Sequence, residues 1–336
     1  MESKQVLGIV VAVILIAGAF GGGFIIGKNA GGSDSGSSAE YYYTASTYTS
    51  GEGYVTENFE KVPERVVCGC STFLNIMLYF GLEDKIVGLY YDEEEVADEY
   101  KAAYDKLIKR IGTDHDFEGN SDCATVTDWE PDFICGWASG FKEGSIGPAS
   151  YWNPLKCNVW SLTSMSKQMN IEGMIQDYID LGKIFQIEDK TNQFIKDLLE
   201  KLGDVKGVMS TSTVNVAMYD SLGSTDLSKG LWMYGTDTFT GAIFEYVGIP
   251  NVFPTGGKIQ LAEVVDKADQ VDLLFFVCYG GCTHDVNYAA WTGNEDLALA
   301  PAIINENYGD IWLSLAYGGD PAVLKMLDNI YDMFGE

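Results

Sequence analysis

The stretch that most restricts the fold is PERVVCGCSTFLNIMLYFGLEDKIVGL, Pro63 to Leu89. RVVCGC is a short β-branched run that ends at a glycine, and Ser71 or Thr72 can cap a helix directly after it. Phe73, Leu74, Met77 and Leu78 fall on one face of that helix, Gly81 stops it, and KIVGL begins a second strand. DEEEVADEYKAAYDKLIKRIG follows as a second helix. Asp92 can cap it, Glu93 to Glu95 fill its first turn, and Lys106, Lys109 and Arg110 crowd its last, as the helix dipole favours. Its buried stripe is Val96, Tyr100, Ala103, Leu107 and Ile111. DFICGW (Asp132 to Trp137) and CNVWSL around Cys157 supply two further strands. Strands alternating with helices predict a parallel sheet.

The pattern then changes. Glu172 to Gly203 is helical almost throughout, with a break expected at Gly182 and a new cap at Asp189. Strand signals resume at VMSTSTVNVAMY (Val208 to Tyr219), and a helix follows at Thr238 to Val247. LAEVVDKADQVDLLFFVCYGG is then a second helix-to-strand unit, and Asp320 to Phe334 a terminal helix with Pro321 in its first turn. WEPDFICGW and QVDLLFFVCYGG share one design, an aspartate before an apolar strand that ends in an aromatic near glycine. The expected architecture is α/β: two Rossmann-like lobes with mainly parallel sheets, residues 59–170 and 207–336. A long connecting helical segment, 171–206, joins them.

Residues 5 to 27 carry no charge and lie between Lys4 and Lys28. As a helix they would reach roughly 34 Å, enough for a bilayer core of about 30 Å. Residues 1–27 are therefore expected to be a transmembrane anchor or signal segment. No cysteine precedes Cys68, so no lipid-modified cysteine ends it. Residues 28–58 are rich in Gly, Ser, Thr and Tyr and are expected to be a flexible tether. The chain holds 21 basic and 49 acidic residues, a net charge of −28. A surface that acidic repels phosphate backbones, which argues against nucleic-acid binding. The expected location is the cell membrane, with the folded part extracellular.

Seven cysteines form no CxxC pair, and only His115 and His284 accompany them. Cys68 and Cys70 share a face at the carboxyl end of the first strand, where ligands of open parallel sheets bind. Packing at the strand end is the favoured reading, with Cys70 and Ser71 in reach of a ligand. Disulfides such as Cys278–Cys282 or Cys123–Cys157, and a metal centre, are the alternatives. Two histidines are too few for a bare zinc or manganese site, and no resident cofactor is expected.

Ligands with flat apolar faces stack on Trp and Tyr. Tyr90, Trp137, Tyr151, Trp152, Trp232, Tyr234, Tyr279 and Trp291 lie near predicted strand ends and loops of both lobes. Trp137 and Tyr279 have the best positions because both end the matched strands. His284 and Asp285 lie close to Tyr279, and His284 could ligate a metal. Lys142, Lys156, Lys229 and Lys258 are scattered rather than clustered, which favours a neutral or cationic ligand over a strongly anionic one.

These stretches resemble the substrate-binding proteins of ABC importers for iron–siderophore, haem and cobalamin, whose lobes are linked by one rigid helix. The resemblance rests on PERVVCGCSTFLNIMLYFGLEDKIVGL, WEPDFICGWASGF, GMIQDYIDLGKIFQIEDKTNQFIKDL, and GAIFEYVGIPNVF followed by IQLAEVVDKADQVDLLFFV. Together they cover about residues 59 to 334. The resemblance implies an interlobe cleft for a metal chelate or tetrapyrrole, no catalysis, and delivery to an ABC permease. It also implies docking through one acidic residue per lobe. Glu143 sits where the first falls, whereas the second position is Ala242, with Glu245 one turn on. Two other functions fit the residues: a cysteine-centred metal or redox enzyme, and a tethered ligand-sensing receptor.

Overall fold

The computed structural model describes residues 41–89, 96, 98–112 and 123–335. Two α/β lobes form as expected. In the first, β3 (Val66–Gly69), β4 (Ile86–Leu89), β5 (Phe133–Gly136) and β6 (Asn158–Ser161) make a wholly parallel sheet in the order β4-β3-β5-β6. In the second, β7 (Val216–Asp220), β10 (Leu273–Cys278) and β11 (Tyr308–Trp312) are parallel. Two short antiparallel strands, β8 (Leu231–Met233) and β9 (Gly257–Ile259), extend that sheet at its β7 edge. β3, β5 and β10 are buried along their whole length, which is why they read as unbroken apolar runs. The helices that matter here are α1 (Ser71–Tyr79), α2 (Lys101–Ile111), α3 (Ile171–Phe185), α4 (Glu188–Met209), α5 (Phe239–Val247), α6 (His284–Thr292) and α7 (Val323–Phe334).

The tether expected through residue 58 is corrected by a β-hairpin. β1 (Tyr43–Thr49) and β2 (Gly53–Phe59) pair antiparallel, with Tyr43 opposite Phe59 and Thr49 opposite Gly53. The strands alternate between exposed and covered positions, the period of a strand with one face packed. Thr47 seals the open edge of β6: its hydroxyl accepts from the Ser161 N–H at 2.8 Å and donates to the Ser161 carbonyl at 3.1 Å. Phe59 is fully buried against Phe133 and Trp160. The expected anchor, and the tether up to residue 40, lie outside the described residues. Among the described residues no helix is long and apolar enough to cross a membrane.

The connecting segment is two helices, and the break falls at Gln186, not Gly182. Gln186 takes a left-handed conformation, φ 54 and ψ 47, and its N–H closes α3 on the carbonyls of Gly182 and Lys183. Gly182 remains helical because the helices meet there: a Cβ would lie 2.3 Å from the Thr191 hydroxyl. The second helix also runs further than expected, to Met209.

A strap from the C-terminal part of the chain binds the lobes together. Residues 313–320 leave β11 and receive hydrogen bonds from both sides. Thr72 of α1 donates to Ser314 O at 2.9 Å, and Thr240 of α5 donates to Leu315 O at 2.8 Å. Tyr178 of α3 donates to Gly319 O at 3.1 Å, and the Asn75 amide donates to the Asp320 carboxylate at 2.6 Å. One apolar core runs through this seam, from Phe59 and Phe73 to Ile243 and Phe275. Closing or opening the lobes would disturb packed core as well as hydrogen bonds, so the pair is built to stay rigid.

Three carboxyls buried in this framework give stability a particular pH dependence. Burial pushes Asp177 up to about 7, Glu57 to about 7 and Asp320 to about 6, each outweighing the hydrogen bonds the carboxylate accepts. Unfolded carboxyls titrate near 4, so the folded chain binds more protons between about pH 4 and 7. Stability is then fullest at the acid end of that window and is lost as pH rises through the folded values. Melting temperature measured from pH 4.5 to 8 is expected to fall. A rise over that interval would contradict the assignment.

Candidate ligand-binding cleft

The carboxyl ends of the parallel strands in both lobes deliver their loops to the interlobe seam, where open α/β sheets place ligands. From the first lobe comes Trp137, the residue after β5; from the second come Asp220 at the end of β7, Trp232 on β8, Tyr234 just after it, and Tyr279 after β10. Tyr317, in the strap, is the hub. Its ring lies 6.4 Å from that of Trp137, edge to face, and 5.6 Å from that of Tyr234. Trp232, on β8, is a neighbour of Tyr317 in the same cluster. Trp137, Trp232, Tyr279 and Tyr317 are half-buried, so each packs on the core by one part and leaves another open.

Asp220 anchors the floor. It is buried, accepts from the Tyr234 hydroxyl at 2.7 Å and from the Leu222 N–H at 2.7 Å, and lies beside the Cys282 thiol and Tyr279. Burial raises the pKa of Asp220, and burial next to that carboxyl raises those of Tyr234 and Tyr279, so these phenols stay neutral donors. Loops from β7 and β10 close over it: a Cβ on Gly223 would sit 3.5 Å from Gly281 O, and Asn287 holds Ser221 N at 2.9 Å and Val277 O at 3.0 Å. The arrangement offers flat aromatic faces from both lobes over one buried acid.

Several expected contacts lie elsewhere. Trp152 is core, its indole N–H bonded to Ile146 O at 3.0 Å, and Trp291 is core, bonded to Leu297 O at 2.9 Å. Both were expected in the cleft because they follow strands, but each spends its bulk on packing and its one donor on a nearby carbonyl. Cys70 and Ser71 are buried at the start of α1, with the Cys70 thiol 3.8 Å from the Met165 sulfur. Tyr234 is buried behind Tyr317 and shapes the cluster from beneath. Tyr90 lies outside the described residues. His284 sits on the flank of the second sheet, its Nδ1 2.8 Å from Asp310 and its ring stacked on Tyr288, apart from the cluster. Asp220 and Tyr317 were not expected at all.

No disulfide joins the seven cysteines, and the pairings Cys278–Cys282 and Cys123–Cys157 do not form. Cys68 and Cys135 are register partners on β3 and β5, and burial holds both thiols well above their ordinary pKa. Burial likewise raises Cys157, Cys278 and Cys282. Thiols held protonated are weak nucleophiles, and the burial of these five is that of packed side chains. No group of three or more His, Cys, Asp or Glu among the described residues is placed to hold a metal. Surface depressions of about 530 Å³ beside Gln260 and Asn294, and of about 400 Å³ beside Glu57 and Asp132, contain none of the cluster residues.

Glu143 is exposed on the loop that follows β5, at the cleft end of the first lobe. Glu245 is exposed on α5, near the end of that helix that leads to Pro250 and the start of β7. Next to it, the Tyr246 ring carries the Lys206 ammonium at 4.4 Å. The two glutamates therefore lie toward opposite ends of the molecule.

Two lobes bridged by helices α3 and α4 thus carry aromatic side chains at the ends of their parallel strands. No protein-family model matches the sequence, and no curated protein matches it. Solved structures do match. A periplasmic binding protein from Veillonella parvula superimposes with a TM-score of 0.71 at 20% identity, over 86% of this chain and 91% of that one. An ABC-type Fe3+-hydroxamate transport protein from Saccharomonospora viridis gives 0.65 at 17% identity, over 87% and 99%. The periplasmic vitamin B12 binding protein of Vibrio cholerae gives 0.56 at 13% identity, over 82% and 97%. At these identities the likeness is one of fold.

Proposed function

We propose that this protein is an exported binding protein that captures a metal chelate or tetrapyrrole (an iron–siderophore, haem or a cobalamin) between its lobes. Delivery to the permease of an ABC importer completes the role. The observation that carries the reading is the Trp137–Tyr317–Tyr234 contact, which brings aromatic faces from both lobes to one place at the strand ends. Flat apolar faces suit a bulky macrocycle or chelate better than a small polar solute. The rigid seam suits cargo that is held without large closure. Glu143, exposed at the cleft end, is the first-lobe candidate for contact with the permease; Glu245, set toward the other end, is the weaker partner. Attachment to a membrane through residues 1–27 remains part of the proposal on sequence grounds.

Tryptophan fluorescence of residues 41–336, titrated with ferric siderophores, haemin and cobalamins, tests the reading. Saturable quenching by one class, reduced in Trp137→Ala, is the expected result. Silence across the panel would overturn the ligand class. In cells, Glu143→Lys should leave affinity intact and abolish uptake, and unchanged uptake would remove Glu143 from the docking surface.

A further inference from the structure

The hairpin does more than cover the β6 edge, because its turn bonds to the loop that follows Trp137. The Ser50 N–H donates to Ala138 O at 2.9 Å and the Gly51 N–H donates to Phe141 O at 3.2 Å. Both carbonyls belong to the loop that begins at Trp137. The Glu52 carboxylate accepts from Ser150 N at 3.2 Å, beyond that loop. Nearby, the Tyr48 ring carries the Lys167 ammonium at 3.6 Å, and Lys167 lies in the loop that follows β6. The hairpin thus grips the loops leaving both β5 and β6.

Two glycines in this turn differ in what they supply. Gly53 has φ 76 with open space around it, so it serves the backbone conformation. Gly51 needs no left-handed backbone, yet a Cβ there would lie 2.6 Å from Phe141 O and 3.2 Å from Lys142 Cα. Its role is close approach.

We infer that the Ser50–Glu52 turn positions the first-lobe wall of the cleft, and that Gly51 sets the distance between the hairpin and the Trp137 loop. This rests on the reading that Trp137 faces the ligand. Gly51 is a positioning residue, acting through the loop without touching cargo.

Gly51→Ala and Gly53→Ala separate this role from a merely structural one. Gly51→Ala is expected to speed amide hydrogen exchange across residues 138–146 by about fivefold or more with little change in melting temperature. Gly53→Ala, strained at positive φ, should lower the melting temperature and leave that exchange at the parent rate. Whichever of haemin, cyanocobalamin and ferric hydroxamate quenches the parent should bind Gly51→Ala several-fold more weakly and Gly53→Ala normally. Parental exchange in Gly51→Ala, or equal acceleration in both variants, overturns the inference. Faster exchange with unchanged affinity overturns its link to the cleft. If none of the three probes binds the parent, the ligand class has failed and exchange alone decides the positioning role. Ser50→Pro, which deletes the N–H to Ala138, gives the same readout should Gly51→Ala not fold.

Discussion

Tyr317→Ala is expected to weaken binding of the quenching ligand by about 10- to 100-fold while the protein stays folded. Tyr317 is where the lobes' aromatics meet, within 6.4 Å of Trp137 and 5.6 Å of Tyr234 by ring centres. Aromatic pairs contribute about 0.5–1.5 kcal/mol each beyond their buried area. The substitution also removes a neighbour of Trp232, and an indole freed to turn no longer presents a fixed face. Losses of about 1.4–2.8 kcal/mol correspond to that 10- to 100-fold range. Trp152→Phe is the matched control: it deletes the bond to Ile146 O in the first-lobe core and should lower the melting temperature without changing affinity. Unchanged affinity in Tyr317→Ala would remove the cluster from the binding site.

Phe59→Ala is expected to destabilise the chain by about 3–5 kcal/mol, the usual range for truncating a buried phenylalanine. The Phe59 ring is fully buried and lies 6.0 Å from Phe133, 6.4 Å from Trp160 and 6.0 Å from Tyr43. A chain that starts at residue 60 would lose the ring, the Thr47 seal on β6 and the Glu57 carboxyl together, and is expected not to fold stably. Denaturant unfolding of Phe59→Ala, compared with the parent at constant slope, measures the loss. A change below about 1 kcal/mol would show that the hairpin is an ornament on an independent lobe, outside the range for a core aromatic.

That second result bears on what the sequence could reveal. β3, β5 and β10 were legible because strands buried on both faces are unbroken aliphatic and aromatic runs. The hairpin was not, because YTASTYT and GYVTENF build their inner face from Thr, Glu and Phe. Low aliphatic content there reads as disorder, although the period-2 alternation was present. β11, with the sequence YGDIW, carries too little apolar residue to announce a strand. Without it nothing pointed to Tyr317, which lies five residues beyond its end. Asp220 was hidden for another reason: a buried acid is identified by the partners that gather round it, and Tyr234, Leu222 and Cys282 come together only in three dimensions. Trp152 and Trp291 erred the other way, since proximity to a strand end does not fix which side of the backbone an indole takes.

The direction of β1 has a practical consequence. Tyr43 pairs with Phe59 beside the first residue of β5, and seven residues later Ser50 meets Ala138 just past the end of β5. β1 therefore runs from the base of the first lobe toward its mouth. Whatever is joined ahead of Tyr43, whether a leash, an affinity tag or the surface of a sensor chip, attaches at the end remote from the aromatic cluster. A layer of molecules grafted through the amino-terminal side would stand with their mouths outward.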